Sequence, residues 1–234
     1  MTNRYALSNR ILASIPDSEY QRLSRQLQPV KLRFGQVLYE PGKAIRYVYF
    51  PVDCLVSLLT SVDRQRTLEV GMVGNEGMAG MPFILGVGIS GVRGLVQGQG
   101  QALRMGSTPF RTEFDRNPGL QQALYRYTFA LMAQISQTAA CNRFHDAGER
   151  LARWLLMTRD RVGADEFLLT QGFLAHMLGL RRVGVTEAAS ELKRRKLIAY
   201  SRGKLQILDV PELKRASCSC YQIVNAVFAR AQHP

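Results

Sequence analysis

LTQGFLAHMLGLRRVGVTEAASELKRRKLIAYSRGKLQILD, residues 169–209, decides how this chain is read. Its spacing has a stereochemical meaning. Two helices that meet in a tight bihelical unit need a small residue at their contact and a glycine where the chain turns through positive φ. They also need an apolar anchor on the inner face of the second helix. Ala175, Gly179 and Val185 meet those needs in turn, with Leu174, Leu178, Leu180 and Ala188 as apolar positions around them. Thr170 stands as an N-cap just ahead of the first periodic residues. The spacing therefore predicts a helix-turn-helix, and the stretch after it predicts a two-stranded wing turning at Ser201-Arg202-Gly203-Lys204. Arg181 and Arg182 open the second helix, where the side chains of a DNA-reading helix meet base edges. The alternative is an ordinary helical hairpin in a core. Wing and charge together favour nucleic acid.

The charge balance points the same way. The chain has 234 residues and a formal net charge of +13, which favours a polyanionic partner. From residue 147 onward 15 Lys+Arg stand against 8 Asp+Glu, so the basic excess is densest in the segment that holds the helix-turn-helix. The N-terminus, MTNRYALSNRILASIPDSEY, breaks every apolar run with polar residues, unlike a signal peptide. No stretch reaches the roughly 18–20 apolar residues of a membrane span. Four cysteines, Cys54, Cys141, Cys218 and Cys220, are too few and too scattered for a disulfide framework. These features predict a cytoplasmic protein that does not enter a membrane.

Residues 1–116, 117–146 and 147–234 differ in pattern. Ile11, Leu12 and Ile15 predict an amphipathic opening helix, continued after Pro16-Asp17 by Tyr20, Leu23 and Leu27. Over 30–105, short apolar runs alternate with glycines at 35, 42, 71, 74, 77 and 80, the pattern of an antiparallel sandwich or barrel. Over 117–144 a long helix is predicted. Leu120, Leu124, Tyr127, Leu131, Gln134, Thr138 and Cys141 alternate steps of four and three, a heptad seam that would pair two copies of the helix. The alternative places that stripe against the chain's own sheet. The pattern breaks near Phe144-His145-Asp146, read as a hinge, and resumes with Leu151, Trp154 and Leu155. A final helix is expected over 211–234.

A jelly-roll-like β-roll, a long dimerisation helix, a hinge and a winged helix-turn-helix, in that order, resemble the cyclic-AMP receptor protein/FNR family of bacterial transcription regulators. The resemblance rests on LTQGFLAHMLGLRRVGVTEAASELKRRKLI and GKLQILD, and on LRFGQVLYEPGKAIRYVYF with Gly35 and Gly42 at its turns. It implies an α+β chain with the cyclic-nucleotide-binding-domain fold in front. It also implies a homodimer on a near-palindromic DNA operator, with RNA polymerase as a further partner and no enzymatic activity. Nucleotide-binding members hold the ribose with a Gly-Glu pair and the cyclic phosphate with Arg followed by Ser or Thr. Gly80-Met81 and Arg93-Gly94 align there, and neither Met81 nor Gly94 has the required oxygen. No cyclic nucleotide is expected. Nor are the family's other sensors, since no cysteine precedes Cys54 for an iron–sulfur cluster and the first 116 residues hold no histidine for haem.

The remaining chemical cluster is Cys218-Ser219-Cys220. Two thiols cannot complete a tetrahedral zinc site, and the nearest histidines in sequence are His233 and the more distant His176. A structural role is expected, with no metal and no cofactor. His145 is read as a lone surface histidine.

The resemblance also assigns the DNA contacts. Arg181, Arg182, Val183, Thr186 and Glu187 align with the base-facing positions, and Arg182 matches the family's guanine-reading arginine. Val183 stands where the well-known members carry Glu, and Glu187 where they carry Arg, so a different operator is expected. Arg202 and Lys204 on the wing would hold phosphates. The second function class considered is a small-molecule-binding protein whose basic C-terminal domain mediates protein contacts.

Overall fold

In the computed structural model, which describes residues 8–63, 66–201 and 203–232, two short helices open the chain. These are α1 (Arg10–Ser14) and α2 (Asp17–Ser24), separated where Pro16, with no amide hydrogen to give, cannot continue a helix. Asn9 caps α1 by accepting from the Leu12 amide. Ile11, Leu12, Ile15 and Leu23 turn inward as their spacing requires, while Leu27 lies beyond the helix.

Seven strands follow: β1 (Gln28–Leu32), β2 (Val37–Tyr39), β3 (Tyr47–Pro51), β4 (Leu55–Ser61), β5 (Thr67–Val73), β6 (Arg93–Gly98) and β7 (Gly100–Gly106). They form a three-stranded sheet, β1-β7-β3, and a four-stranded sheet, β2-β6-β4-β5. In the first, β7 pairs antiparallel on both sides, setting Val30 opposite Ala102 and Phe50 opposite Leu103. This is the expected jelly-roll-like β-roll. Gly35, Gly42 and Gly80 do take positive φ. Gly71, expected at a turn, lies inside β5.

A helix that periodicity did not indicate, α3 (Ser107–Arg116), comes next. It buries only Phe110 and Phe114, one i,i+4 pair, which is too little for a pattern. Phe110 meets Phe50 and Phe114 with ring centroids 6.4 and 6.0 Å away. The long helix is α4 (Pro118–Phe144). The Glu19 carboxylate accepts from the amides of Gly119 and Leu120, satisfying donors that a helix start leaves open.

The chain restarts at α5 (Ala147–Val162), where Asp146 and Glu149 form a reciprocal capping box. Gly163 ends α5 at φ 70°. Then come β8 (Glu166–Leu168), α6 (Gln171–Leu178), α7 (Arg182–Arg194), β9 (Ile198–Ser201), β10 (Lys204–Ile207), α8 (Val210–Ala216) and α9 (Cys220–Gln232). The wing is three-stranded, order β8-β10-β9, because Leu205 pairs with Phe167 on one side as well as Tyr200 on the other. Three residues between two helices are too short a run to show strand alternation in sequence. The tail holds two helices, divided at Ser217–Ser219, where one was expected.

The chain divides into two compact units. One holds residues up to Leu58, Gly71–Met132 and the chain from Phe228 on; the other holds Leu59–Val70 and Ala133–Val227. The division thus falls inside α4 and assigns the tip of the β4–β5 hairpin to the second unit. Among the described residues no helix is long and apolar enough to cross a membrane.

Candidate nucleic-acid interface

The helix-turn-helix is built as its spacing requires. The Thr170 hydroxyl accepts from the Phe173 amide and starts α6. Gly179 ends it at φ 60°, and a Cβ there would stand 2.7 Å from Leu68 on the hairpin tip. The backbone angle calls for the glycine, and the close approach adds to it only as far as the flexible end of Leu68 cannot shift. Leu174, Leu178, Val185 and Ala188 are buried between α6 and α7, whereas Ala175 and Leu180 stay half-buried. Thr186 Oγ1 lies 3.1 Å from Gln171 Oε1, a contact that ties α7 to α6, and its other acceptor within reach is the Arg182 carbonyl of its own helix at 2.9 Å.

Two supports of this unit carry no local signal in sequence. The buried Arg150 guanidinium of α5 donates to the Leu178 carbonyl, placing a cation at the negative end of α6. The hairpin tip packs on the same unit: Trp154 Nε1 donates to Glu69 over 2.9 Å in a buried contact, and Thr67 Oγ1 is 3.3 Å from His176 Nδ1. Each joins residues about 30 to 110 positions apart.

What remains outward is the start of α7. Arg181 is its N-cap, and Arg182, Val183 and Glu187 are exposed, Val183 to 61 %. Among the described residues neither Arg181 nor Arg182 takes part in an ion pair. Thr186 is half-buried and its hydroxyl is engaged within the unit. Beside α7, the buried part of Tyr200 donates its hydroxyl to the Leu169 carbonyl at 2.9 Å, and burial raises its pKa while the nearby Arg182 charge lowers it. Lys204 is exposed on the wing and paired with Glu166 at 2.8 Å; so exposed a pair contributes about 0–1 kcal/mol and exchanges readily. Arg202 lies outside the described residues. A Cβ on Gly184 would meet nothing within 4 Å, so no contact within the chain requires a glycine at this outward position.

Residues 149–216 match the model of the Crp-like helix-turn-helix domain. No curated protein sequence matches the chain. Its fold is that of solved Crp/Fnr-family regulators. A Crp/Fnr-family regulator from Eubacterium rectale is 14 % identical with a TM-score of 0.69, over 88 % of this chain and 96 % of that one. The c-di-GMP-responsive global regulator CLP of Xanthomonas campestris is 15 % identical with a TM-score of 0.68, over 83 % and 100 %. A CRP/FNR-family regulator from Thermus thermophilus is 23 % identical with a TM-score of 0.66, over 81 % and 98 %.

The other sequence-derived sites fare differently. Gly80 and Gly94 are brought to one side chain, the buried Tyr39. A Cβ on Gly94 would lie 2.6 Å from its ring, and its hydroxyl is hydrogen-bonded to the Gly80 backbone. Burial raises the Tyr39 pKa far above the usual phenol range. Met81 begins a single 3-10 turn, Met81–Phe83, and Arg93 pairs with Glu40 at 2.8 Å on the surface.

The seam of α4 needs correcting. Leu120, Leu124, Tyr127, Leu131, Gln134 and Thr138 are at most 5 % exposed within a single chain, so they are core rather than a free pairing face. Tyr127 shows why: its ring fills the space over Gly77, where a Cβ would sit 2.1 Å from it, and it meets Phe228 at 6.3 Å. The exposed stripe of the same helix is Gln122, Tyr125, Phe129, Met132, Ser136 and Ala139, with Tyr125, Phe129 and Met132 at 53, 64 and 62 % exposure.

The expectation of no metal or cofactor ligands is also overturned. Cys218 and Cys220 do not stand as an isolated pair: Cys141 and His145 from the end of α4 join them, and the four ligand atoms all lie within 4.8 Å of one another. His145 is half-buried against Cys220, not a lone surface histidine. A separation of 77 residues between Cys141 and Cys218 hides this from sequence spacing.

Proposed function

We propose that this protein is a sequence-specific DNA-binding transcription regulator that acts as a homodimer. The observation that carries the reading is the exposed start of α7, free of ion pairs among the described residues. Arg181 and Arg182 project there beside Val183, above a helix pair that matches a DNA-binding family. Arg182 would take guanine O6 and N7 together, Val183 a thymine methyl, and Glu187 cytosine N4. Thr186 would serve the interface by holding α7 on α6. Lys204 and Arg202 would anchor the wing on phosphates.

The stripe Tyr125, Phe129 and Met132 supports pairing of two copies along α4. It exposes three large apolar side chains in heptad steps, and the small Ser136 and Ala139 continue it. Two recognition helices would then sit about one DNA turn apart, roughly 34 Å, on a near-palindromic site. A cavity of about 360 Å³ in the first unit, lined in part by Arg10, Glu76, Arg126 and Phe228, favours the second reading, a small-molecule-binding protein.

Titrating a random-sequence duplex at increasing salt separates the two. The regulator binds at low salt and loses affinity steeply as salt rises, because phosphate contacts release counterions. Absence of binding at low salt leaves only the small-molecule reading.

A further inference from the structure

Cys141 and His145 lie one helical turn apart, the His145 amide donating to the Cys141 carbonyl at 3.1 Å. Cys218 lies in the turn after α8, and Cys220 is the first residue of α9. Two stretches of chain, 141–145 and 218–220, thus deliver three thiols and an imidazole to one point, and all three cysteines are buried. Cys141 Sγ is 3.5 Å from Cys218 Sγ, and Cys220 Sγ is 3.5 Å from His145 Nδ1. None of the cysteines is in a disulfide. Tetrahedral zinc, with bonds of about 2.3 Å to sulfur and 2.0–2.1 Å to nitrogen, sets its ligands about 3.8 Å (S–S) and 3.5 Å (S–N) apart. The cluster is already of that size.

A second observation concerns charge. Arg150 and Arg153 are buried beside the thiols, and neither pairs with a carboxylate among the described residues. Two buried cations without anions are costly. Three thiolates around one divalent ion carry a net charge of −1, which offsets one of the two. Gln137 Nε2, 3.1 Å from Cys220 Sγ, supplies the hydrogen bond to sulfur that metal thiolates commonly receive.

We propose that Cys141, His145, Cys218 and Cys220 bind one zinc ion in a closed Cys3His site that fastens the α8–α9 turn to the end of α4. Four protein donors complete the tetrahedron, so the site is structural and not catalytic. Sulfur-rich donors exclude calcium and magnesium, which take oxygen. Multi-iron clusters need their ligands spread around a larger body. Loading releases the thiol protons and leaves zinc and sulfur at their oxidation states.

The test uses the full chain purified under anaerobic, reducing conditions. Elemental analysis should find one zinc per chain in the wild type and in Cys54→Ser, whose thiol is buried elsewhere. It should find at least a tenfold loss in Cys141→Ser and Cys218→Ser. Because serine in a packed cluster can itself unfold the chain, a wild-type measurement stands beside these. After exchange, cobalt alone should give the intense visible bands of tetrahedral, thiolate-rich coordination, and chelation should lower the melting temperature. Four free thiols without stoichiometric metal, a Cys141–Cys218 disulfide in its place, iron or copper instead of zinc, or an octahedral cobalt spectrum would each overturn the proposal.

Discussion

The helix-turn-helix and the β-roll both use glycine to let another residue come close, and to opposite ends. At Gly179 the missing Cβ lets the chain turn against Leu68, and the consequence is outward: the start of α7 is exposed with two arginines that form no ion pair among the described residues. At Gly94 the room is filled inward by the ring of Tyr39, a residue of the same sheet, whose hydroxyl is hydrogen-bonded to the Gly80 backbone. One end spends its special positions on presenting side chains, the other on closing around one. The residues proposed to face DNA are therefore exposed and locally specified, whereas Gly80 and Gly94 belong to the roll's packing.

The largest effect expected is at the filled end. Tyr39→Ala removes a ring packed on Gly94 and should cost about 3–5 kcal/mol in urea unfolding, as for other large-to-small core changes. A loss below about 1 kcal/mol would mean that the ring is not core, and the contrast with Gly179 would dissolve.

The second effect concerns α4, which carries a buried stripe and an exposed one. Phe129→Glu should weaken the proposed dimer by about 2 kcal/mol or more, as loss of a central aromatic anchor does, and leave the stability of the single chain unchanged. Analytical ultracentrifugation at several concentrations reads this. An unaltered association would place the pairing surface elsewhere.

A smaller effect sharpens the outward half of the comparison. Gly184→Ala should stabilise the fold by up to about 1 kcal/mol, since the helix gains a better former and the added methyl meets nothing. The same change should weaken DNA binding if the backbone approaches phosphate there. Lys204→Ala, last, should change stability by less than about 1 kcal/mol and reduce the slope of log affinity against log salt by about 1.

What was legible in sequence follows from how local each rule is. Thr170, Gly179 and the Asp146–Glu149 region obey rules that act within four residues, and the helices they bound were readable. Heptad spacing found α4 but not its free side. Leu120, Leu124, Tyr127 and Tyr125, Phe129, Met132 show the same steps of three and four, and only the packing of Tyr127 over Gly77 tells them apart. The Cys141–Cys218 and Trp154–Glu69 contacts join residues 77 and 85 positions apart. No period or spacing encodes such contacts, so the thiol–imidazole cluster and the docked hairpin tip had no signature to find.

The central claim is that the exposed start of α7 reads bases. Selection of bound duplexes from a random pool, by the wild type and by Arg182→Ala at fixed salt, tests it most directly. The wild type should enrich a near-palindromic motif with half-sites about one turn apart. Arg182→Ala should blur one position in each half and cost about 1–3 kcal/mol. Equal weakening on every sequence with the motif intact would make Arg182 a phosphate contact and contradict the account.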